Sequence, residues 1–208
     1  MPAAAEVPLS NDQLVDSLAE QGWVVCPQFL SSHEWLPLLH RAQALHAEQL
    51  MRPAQIGSGA QRQRRSDIRS DEVLWIDQLD ATTRVYWERM EALRLQLNQA
   101  LYLGLERLEA HWAAFAAGSY YRRHRDQFQG GRQRVVSCIF YLNEDWASED
   151  GGQLRMYLEN HDRPLDVLPQ GGTLVAFLSE HIEHEVLAAR RNRYSITGWL
   201  RRRDDLPV

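Results

Sequence analysis

The chain has 208 residues, 44% of them hydrophobic and 25% charged, with a formal net charge of −5. This length suits one domain with a sizeable core, and the composition excludes disordered and fibrous classes. The acidic balance argues against a nucleic-acid partner. All 23 basic residues are arginine, which excludes lysine chemistry and leaves arginine to fix any substrate carboxylate through its planar fork.

The stretch MPAAAEVPLSNDQL lacks the basic start and apolar run of a secretory leader. No segment approaches the roughly 18 apolar residues that span a bilayer, so a cytoplasmic protein without a membrane partner is expected. Cys26 and Cys138 lie far apart in apolar, strand-like runs, where buried free thiols are expected rather than a disulfide.

In chain order, Ser10-Asn-Asp-Gln13 has the form of a capping box, and Leu14, Val15 and Leu18 follow at helical spacing, giving a helix over about 11–20. A short strand follows over Trp23 to Phe29. Ser31 or Ser32 caps a second helix through Trp35, Leu38, Leu39, Ala42 and Leu45, fading near residue 50. Residues 51–66, MRPAQIGSGAQRQRRS, have no apolar period and read as a long exposed loop carrying Arg52, Arg62, Arg64 and Arg65. Helical spacing returns from Thr83 to Leu103, with Gly104 as the stop.

From Trp112 onward the pattern changes to short runs: VVSCIFYL, QLRMYL, LDVL, TLVAFL, HEVLA and RYSITGWL. Such runs indicate a sandwich or barrel, so the fold class is α+β, with helices packed on one face of a two-sheet β core. The predicted organisation is a single domain over 1–208, mainly helical support in 1–108 and the β core in 109–203.

His124 and Asp126 are two residues apart, so on a strand they point to the same face. Alone, that pair is equally a solvated His and Asp at a strand end. His184, 58 residues after Asp126, leads another apolar strand, and Arg193 follows nine residues later. Two imidazoles and one carboxylate form the facial triad of non-haem iron(II) oxygenases, which leaves three metal positions open. Zinc is the nearest chemical rival. Arg193 tips the balance toward iron with a keto acid. Of the other histidines, His181 is three residues before His184 and must face the opposite way on a strand, and His161 falls in a turn. His33, His40, His46 and His111 fall on or near the helices and the first strand, where packing or solvent is the expected fate.

Phe115-x-Ala117-Gly118-x-x-Tyr121-x-x-His124-x-Asp126, then Tyr141-Leu142-Asn143, Trp146, Gly151-Gly152-x-Leu154, Pro169, Phe177, His184-Glu-Val186 and Arg193 to Trp199, together resemble the catalytic domain of prolyl 4-hydroxylases. CIFYLNEDW, the HEV step, RYSITGW and the upstream SDIRSDEVLWID are similar to hypoxia-inducible-factor-type prolyl hydroxylases and their bacterial relatives, over roughly residues 50–200.

The resemblance implies a double-stranded β-helix with iron(II) on His124, Asp126 and His184, and 2-oxoglutarate on Arg193. Tyr141 and Thr197 would add hydrogen bonds near the cosubstrate, although strand packing also explains both. Dioxygen (O2) is the oxidant, and ascorbate is a further small molecule that the family implies. The implied reaction is C4 hydroxylation of a prolyl residue in a protein, releasing succinate and CO2, and bacterial relatives suggest elongation factor Tu as one partner. In relatives a mobile segment corresponding to 51–66 closes over a peptide; the bland reading is a solvated excursion. Phe115 and Ala117 stand where the family usually has Tyr and Pro, which removes a phenol and bears on substrate preference. Two other functions fit parts of the pattern: a hydroxylase of a free amino acid or other small molecule, and a non-catalytic ligand- or peptide-binding β-helix.

Overall fold

The computed structural model describes residues 9–56, 63, 65–77, 79–126, 133–159 and 161–203. Helix α1 (Asn11–Gln21) begins at Ser10, whose Oγ accepts from the Gln13 amide at 3.3 Å while Gln13 Oε1 accepts from the Ser10 amide at 2.9 Å. Gly22, left-handed at φ 80°, ends it and turns the chain into β1 (Trp23–Cys26). Ser31, not Ser32, caps α2 (Ser32–Ala47), with Glu34 reaching back to the Ser31 amide at 2.8 Å. Strand β2 (Arg52–Pro53) falls inside the expected loop and β3 (Glu72–Trp75) beyond it.

Helix α3 (Ala81–Leu101) is opened by Asp80 and Thr83, each accepting from the other's amide, at 2.8 and 3.0 Å. It stops two residues short of Leu103. Asn98 clasps both the N–H and the C=O of Leu105 at 2.7 Å, and Tyr102 goes left-handed at φ 52°, so the chain leaves the helix before Gly104. Strand β4 (Leu105–Phe115) therefore starts well ahead of the expected Trp112. The boundary at 108/109 runs through this strand. The remaining strands are β5 (Tyr121–His124), β6 (Arg134–Tyr141), β7 (Leu154–Tyr157), β8 (Leu165–Val167), β9 (Leu174–Leu178), β10 (Glu183–Val186) and β11 (Arg193–Arg202).

All pairings are antiparallel, in a seven-stranded sheet ordered β1-β9-β6-β11-β4-β3-β2 and a four-stranded sheet ordered β5-β10-β7-β8. The helices cover one face of the larger sheet, burying Leu14, Leu18, Leu38, Leu39, Met90, Leu93 and Leu97 against Phe140, Leu174 and Ile196. Each such side chain contributes roughly 1.5–3 kcal/mol of burial. The opposite face of that sheet meets the smaller one across Phe115, Ile139, Tyr141, Leu154, Met156, Val175 and Phe177. The α+β expectation is met, with β1, β2 and β3 as contributions of the N-terminal half to the β core.

The segment 51–66 is only partly a loop. Met51 is buried, Arg52 and Pro53 pair with β3, and Ile56 bridges to Gln63; Arg62 and Arg64 lie outside the described residues. Just beyond it, Ile68, Arg69 and Ser70 run alongside β5 through Arg122 N–H to Ile68 O at 2.9 Å and Ser70 N–H to Tyr120 O at 3.1 Å. Cys26 and Cys138 are buried free thiols, and no described helix is long and apolar enough to cross a membrane.

Candidate active site

Alternation along β5 and β10 brings the expected ligand residues together. His184 pairs with His124 across the two strands, and their ring centroids are 4.3 Å apart. Asp126 follows β5, with Oδ1 3.5 Å from His124 Nε2 and Oδ2 3.8 Å from His184 Nε2. One ligand atom from each of the three residues lies within 4.8 Å of the others, so the set could hold a metal ion.

Both imidazoles are oriented by their far nitrogens. His124 Nδ1 meets the Arg122 carbonyl at 2.7 Å and His184 Nδ1 meets the Ile182 carbonyl at 3.3 Å. A carbonyl only accepts, so each Nδ1 carries a hydrogen and each Nε2 is the atom turned toward the Asp126 carboxylate, where a cation would sit. Burial, with His124 adding to it, pushes the His184 pKa down to about 4, so this ring is neutral at neutral pH. Burial disfavours the charge on Asp126, but His184, His124 and the Ser137 hydroxyl outweigh it and hold the carboxyl far below its usual range. A neutral His184 beside an ionised Asp126 is the protonation state that a divalent metal needs of these two groups.

Further contacts fix this cluster. Tyr121 stacks on His124 with centroids 3.6 Å apart and planes 16° from parallel. Phe177 meets His184 edge-on at 4.7 Å. Arg69 lies over the far side of Tyr121, 4.3 Å from its centroid, and forms a bidentate pair with the buried Asp71 at 2.7 and 2.5 Å. Ser137 donates to Asp126 Oδ2 at 2.7 Å.

Arg193, on β11, is 1% exposed. Its Nε donates to the Gly152 carbonyl at 3.0 Å, and its guanidinium carbon is 5.0 Å from the ring centroids of Phe115 and Tyr141. Its Nη2 and the Tyr141 hydroxyl are both buried without a hydrogen-bond partner among the described residues. Burial depresses the guanidinium pKa and raises that of Tyr141 to about 12, yet both groups keep their donor hydrogens at neutral pH. An unpartnered guanidinium Nη2 and an unpartnered phenol on one wall form a cradle suited to a carboxylate, since leaving buried donors unpaired is costly. Thr197 shares the inward face of β11 with Arg193; its hydroxyl lies 3.4 Å from that of Ser195.

The remaining histidines stay apart from the cluster. His33, His40, His161 and His181 are exposed. His46 contacts the Tyr194 hydroxyl at 3.0 Å on the other side of the larger sheet, beside a cleft of about 650 Å³ lined by residues including Arg52 and Glu72. That cleft is lined by neither the His/Asp cluster nor Arg193. His111 is buried in β4, edge-on to Trp75 at 5.0 Å.

Sequence reading missed the role of Ser137, although period-two counting back from Tyr141 through Ile139 places it on the inward face. It also missed Arg69 and Asp71 as neighbours of β5, because that pairing joins segments about 50 positions apart.

Residues 110–201 match the model of the 2OG-Fe(II) oxygenase superfamily. The chain is 30% identical to the hypoxia-inducible factor prolyl hydroxylase of Caenorhabditis elegans over 90% of its own length, and spans 28% of that protein. Among solved structures, a Pseudomonas putida prolyl-4-hydroxylase superposes with a TM-score of 0.86 at 41% identity, covering 94% of this chain and 100% of that one. A Trichoplax adhaerens prolyl hydroxylase in complex with a hypoxia-inducible factor peptide fragment gives 0.83 at 26% identity, covering 91% and 87%. The two facing sheets are thus the double-stranded β-helix of these oxygenases. With whole-length similarity on one side and an oriented His/Asp/His cluster on the other, the chain belongs to the 2OG-Fe(II) oxygenase superfamily.

Proposed function

We propose that the protein is a prolyl hydroxylase that holds iron(II) on His124, Asp126 and His184 and the far carboxylate of 2-oxoglutarate on Arg193. The observation that carries the cosubstrate assignment is the buried Arg193 Nη2, unpartnered beside the unpartnered Tyr141 hydroxyl. The prolyl target rests on the likeness to the Pseudomonas putida prolyl-4-hydroxylase along the whole of that chain. When bound, iron and 2-oxoglutarate together activate dioxygen and supply the oxygen atom for a C–H bond, with succinate and CO2 as co-products.

The chain's own residues bind and orient. His124 and His184 present Nε2 to the metal because their Nδ1 hydrogens are engaged by backbone carbonyls. Arg193 fixes one end of the cosubstrate by charge and fork geometry, Tyr141 adds a donor, and Thr197 offers a further hydroxyl on the same face. Phe115, Ile139 and Phe177 keep this wall apolar and exclude water. The substrate is a protein or peptide bearing proline. Elongation factor Tu belongs in the substrate panel, although no described residue singles it out. Ascorbate serves as a reductant that keeps the metal in its ferrous state. A cytoplasmic location fits the two buried free thiols, Cys26 and Cys138.

The test is anaerobic addition of iron(II) and 2-oxoglutarate, followed by oxygenation with proline-containing peptides and, separately, free amino acids. A visible charge-transfer band and peptides that gain one oxygen atom support the reading. Turnover of free amino acids alone would replace it with a small-molecule hydroxylase, and absence of the band would overturn the metal and cosubstrate assignment.

A further inference from the structure

Behind Asp126 stands a pair of buried hydroxyls. Ser137, on β6, is 1% exposed and Ser179, just past β9, is 0% exposed. Ser137 Oγ is 2.7 Å from Asp126 Oδ2 and 2.8 Å from Ser179 Oγ. The adjoining backbone is fixed: Ser137 pairs with Phe177, and the Ser179 amide donates to the Val135 carbonyl at 3.0 Å.

The protons along this chain have one arrangement. Ser137 Oγ donates to Asp126 Oδ2, and a hydroxyl has one hydrogen to give. Ser137 therefore spends its single hydrogen on Oδ2, and the contact with Ser179 can form only if Ser179 donates to Ser137. Each donation polarises the next, which strengthens the grip on Oδ2 in this water-poor setting.

We propose that Ser179 and Ser137 form a positioning relay that reserves Asp126 Oδ2, so that Asp126 offers the metal one oxygen, Oδ1, rather than both. A carboxylate free of this hold can rotate and chelate, and would occupy a coordination position that the cosubstrate or dioxygen needs. The relay rests on the metal reading given above. It also explains why a hydroxyl interrupts the apolar inward face of β6 at Ser137, where an alanine or valine would pack without a polar partner.

The test uses the full-length, metal-free protein titrated with Mn(II) and Co(II), with no turnover required. Ser137→Ala is expected to weaken Mn(II) binding by about 10- to 100-fold, the usual cost of losing a group that orients a metal ligand. Its Co(II) visible absorption should fall, as a chelating carboxylate raises the coordination number. Ser137→Thr, which keeps the hydroxyl, should restore both readouts, and Ser179→Ala should shift both in the same direction by a smaller factor. If Ser137→Ala does not fold, Ser137→Cys, a weaker donor of similar size, replaces it with the same expected direction.

Binding within twofold of wild type in the residue-137 variant, failure of Ser137→Thr to restore it, or a Ser179→Ala protein identical to wild type would each overturn the relay. If wild type itself binds neither ion, or Asp126→Ala binds as well as wild type, the metal reading fails instead, so the two failures are distinguishable.

Discussion

Arg193 is seated on Gly152: its Nε donates to the Gly152 carbonyl at 3.0 Å, and a Cβ on Gly152 would stand 3.3 Å from its Cδ. The same Cβ would lie 2.9 Å from the Ala189 Cβ and 3.2 Å from Trp146 Cζ2, at a backbone φ of +70° that side chains rarely adopt. Gly152→Ala should therefore cost about 1–3 kcal/mol of stability and displace the guanidinium, weakening 2-oxoglutarate several-fold. Urea unfolding and a cosubstrate titration check both effects; wild-type affinity in the variant would mean that the seat does not aim the arginine.

Removing the guanidinium itself should act on cosubstrate affinity and spare the metal. Arg193→Ala is expected to weaken 2-oxoglutarate by about 100-fold or more, since a buried charge-assisted fork is lost. Arg193→Lys keeps the charge without the fork and should recover only part, while Tyr141→Phe should cost about 3- to 10-fold. Titration of the charge-transfer band at fixed iron(II) reads all three, and an undiminished band in Arg193→Ala would remove the arginine from the site.

His111 should leave a mark on acid stability. Burial pushes its pKa down to about 4, with Arg69 adding to the shift, against an ordinary value of 6.5. Between these values the unfolded chain takes up a proton that the native site refuses. The contribution is therefore intact above pH 6.5 and is lost as the pH falls toward 4, by up to about 3 kcal/mol. His111→Leu should flatten this part of the profile. Urea midpoints of metal-free wild type and variant from pH 7 to 4.5 decide it; His184 titrates in the same direction in both proteins, so parallel profiles would dismiss His111.

Arg69 and Asp71 form an ion pair whose acid has a side-chain exposure of 0%. Arg69→Met should destabilise the fold by about 3–5 kcal/mol, because it strands a buried carboxylate, and Asp71→Asn added to it should recover part of the loss. Thermal unfolding of the single and double variants measures this. An additive double variant would show that the two side chains do not depend on each other.

Elements set by local chemistry were legible in the sequence. Ser10 and Gln13 announced α1 through their reciprocal cap, and the meeting of His124, Asp126 and His184 followed from alternation plus a resemblance. What escaped notice depended on distant partners. The end of α3 is set by Asn98 gripping Leu105, which helical periodicity through Leu101 cannot show. The early start of β4 escaped because Glu106, Arg107 and Glu109 look solvated; the strand is stabilised there by pairing with β11 and by Arg134 and Arg201 on Glu109. Ser137 became visible as a site residue only when Asp126 was brought against it.

The two imidazoles hang from the four-stranded sheet, whereas Arg193 belongs to the seven-stranded one. A ligand that touches both groups therefore acts as a clasp between layers otherwise joined mainly by apolar contact. At about a hundredfold excess over its dissociation constant, such a clasp adds roughly 2.7 kcal/mol against separation of the layers. Amide hydrogens of β5, β7, β8 and β10 should then exchange more slowly, while β1, at the far edge of the larger sheet, should exchange at its original rate.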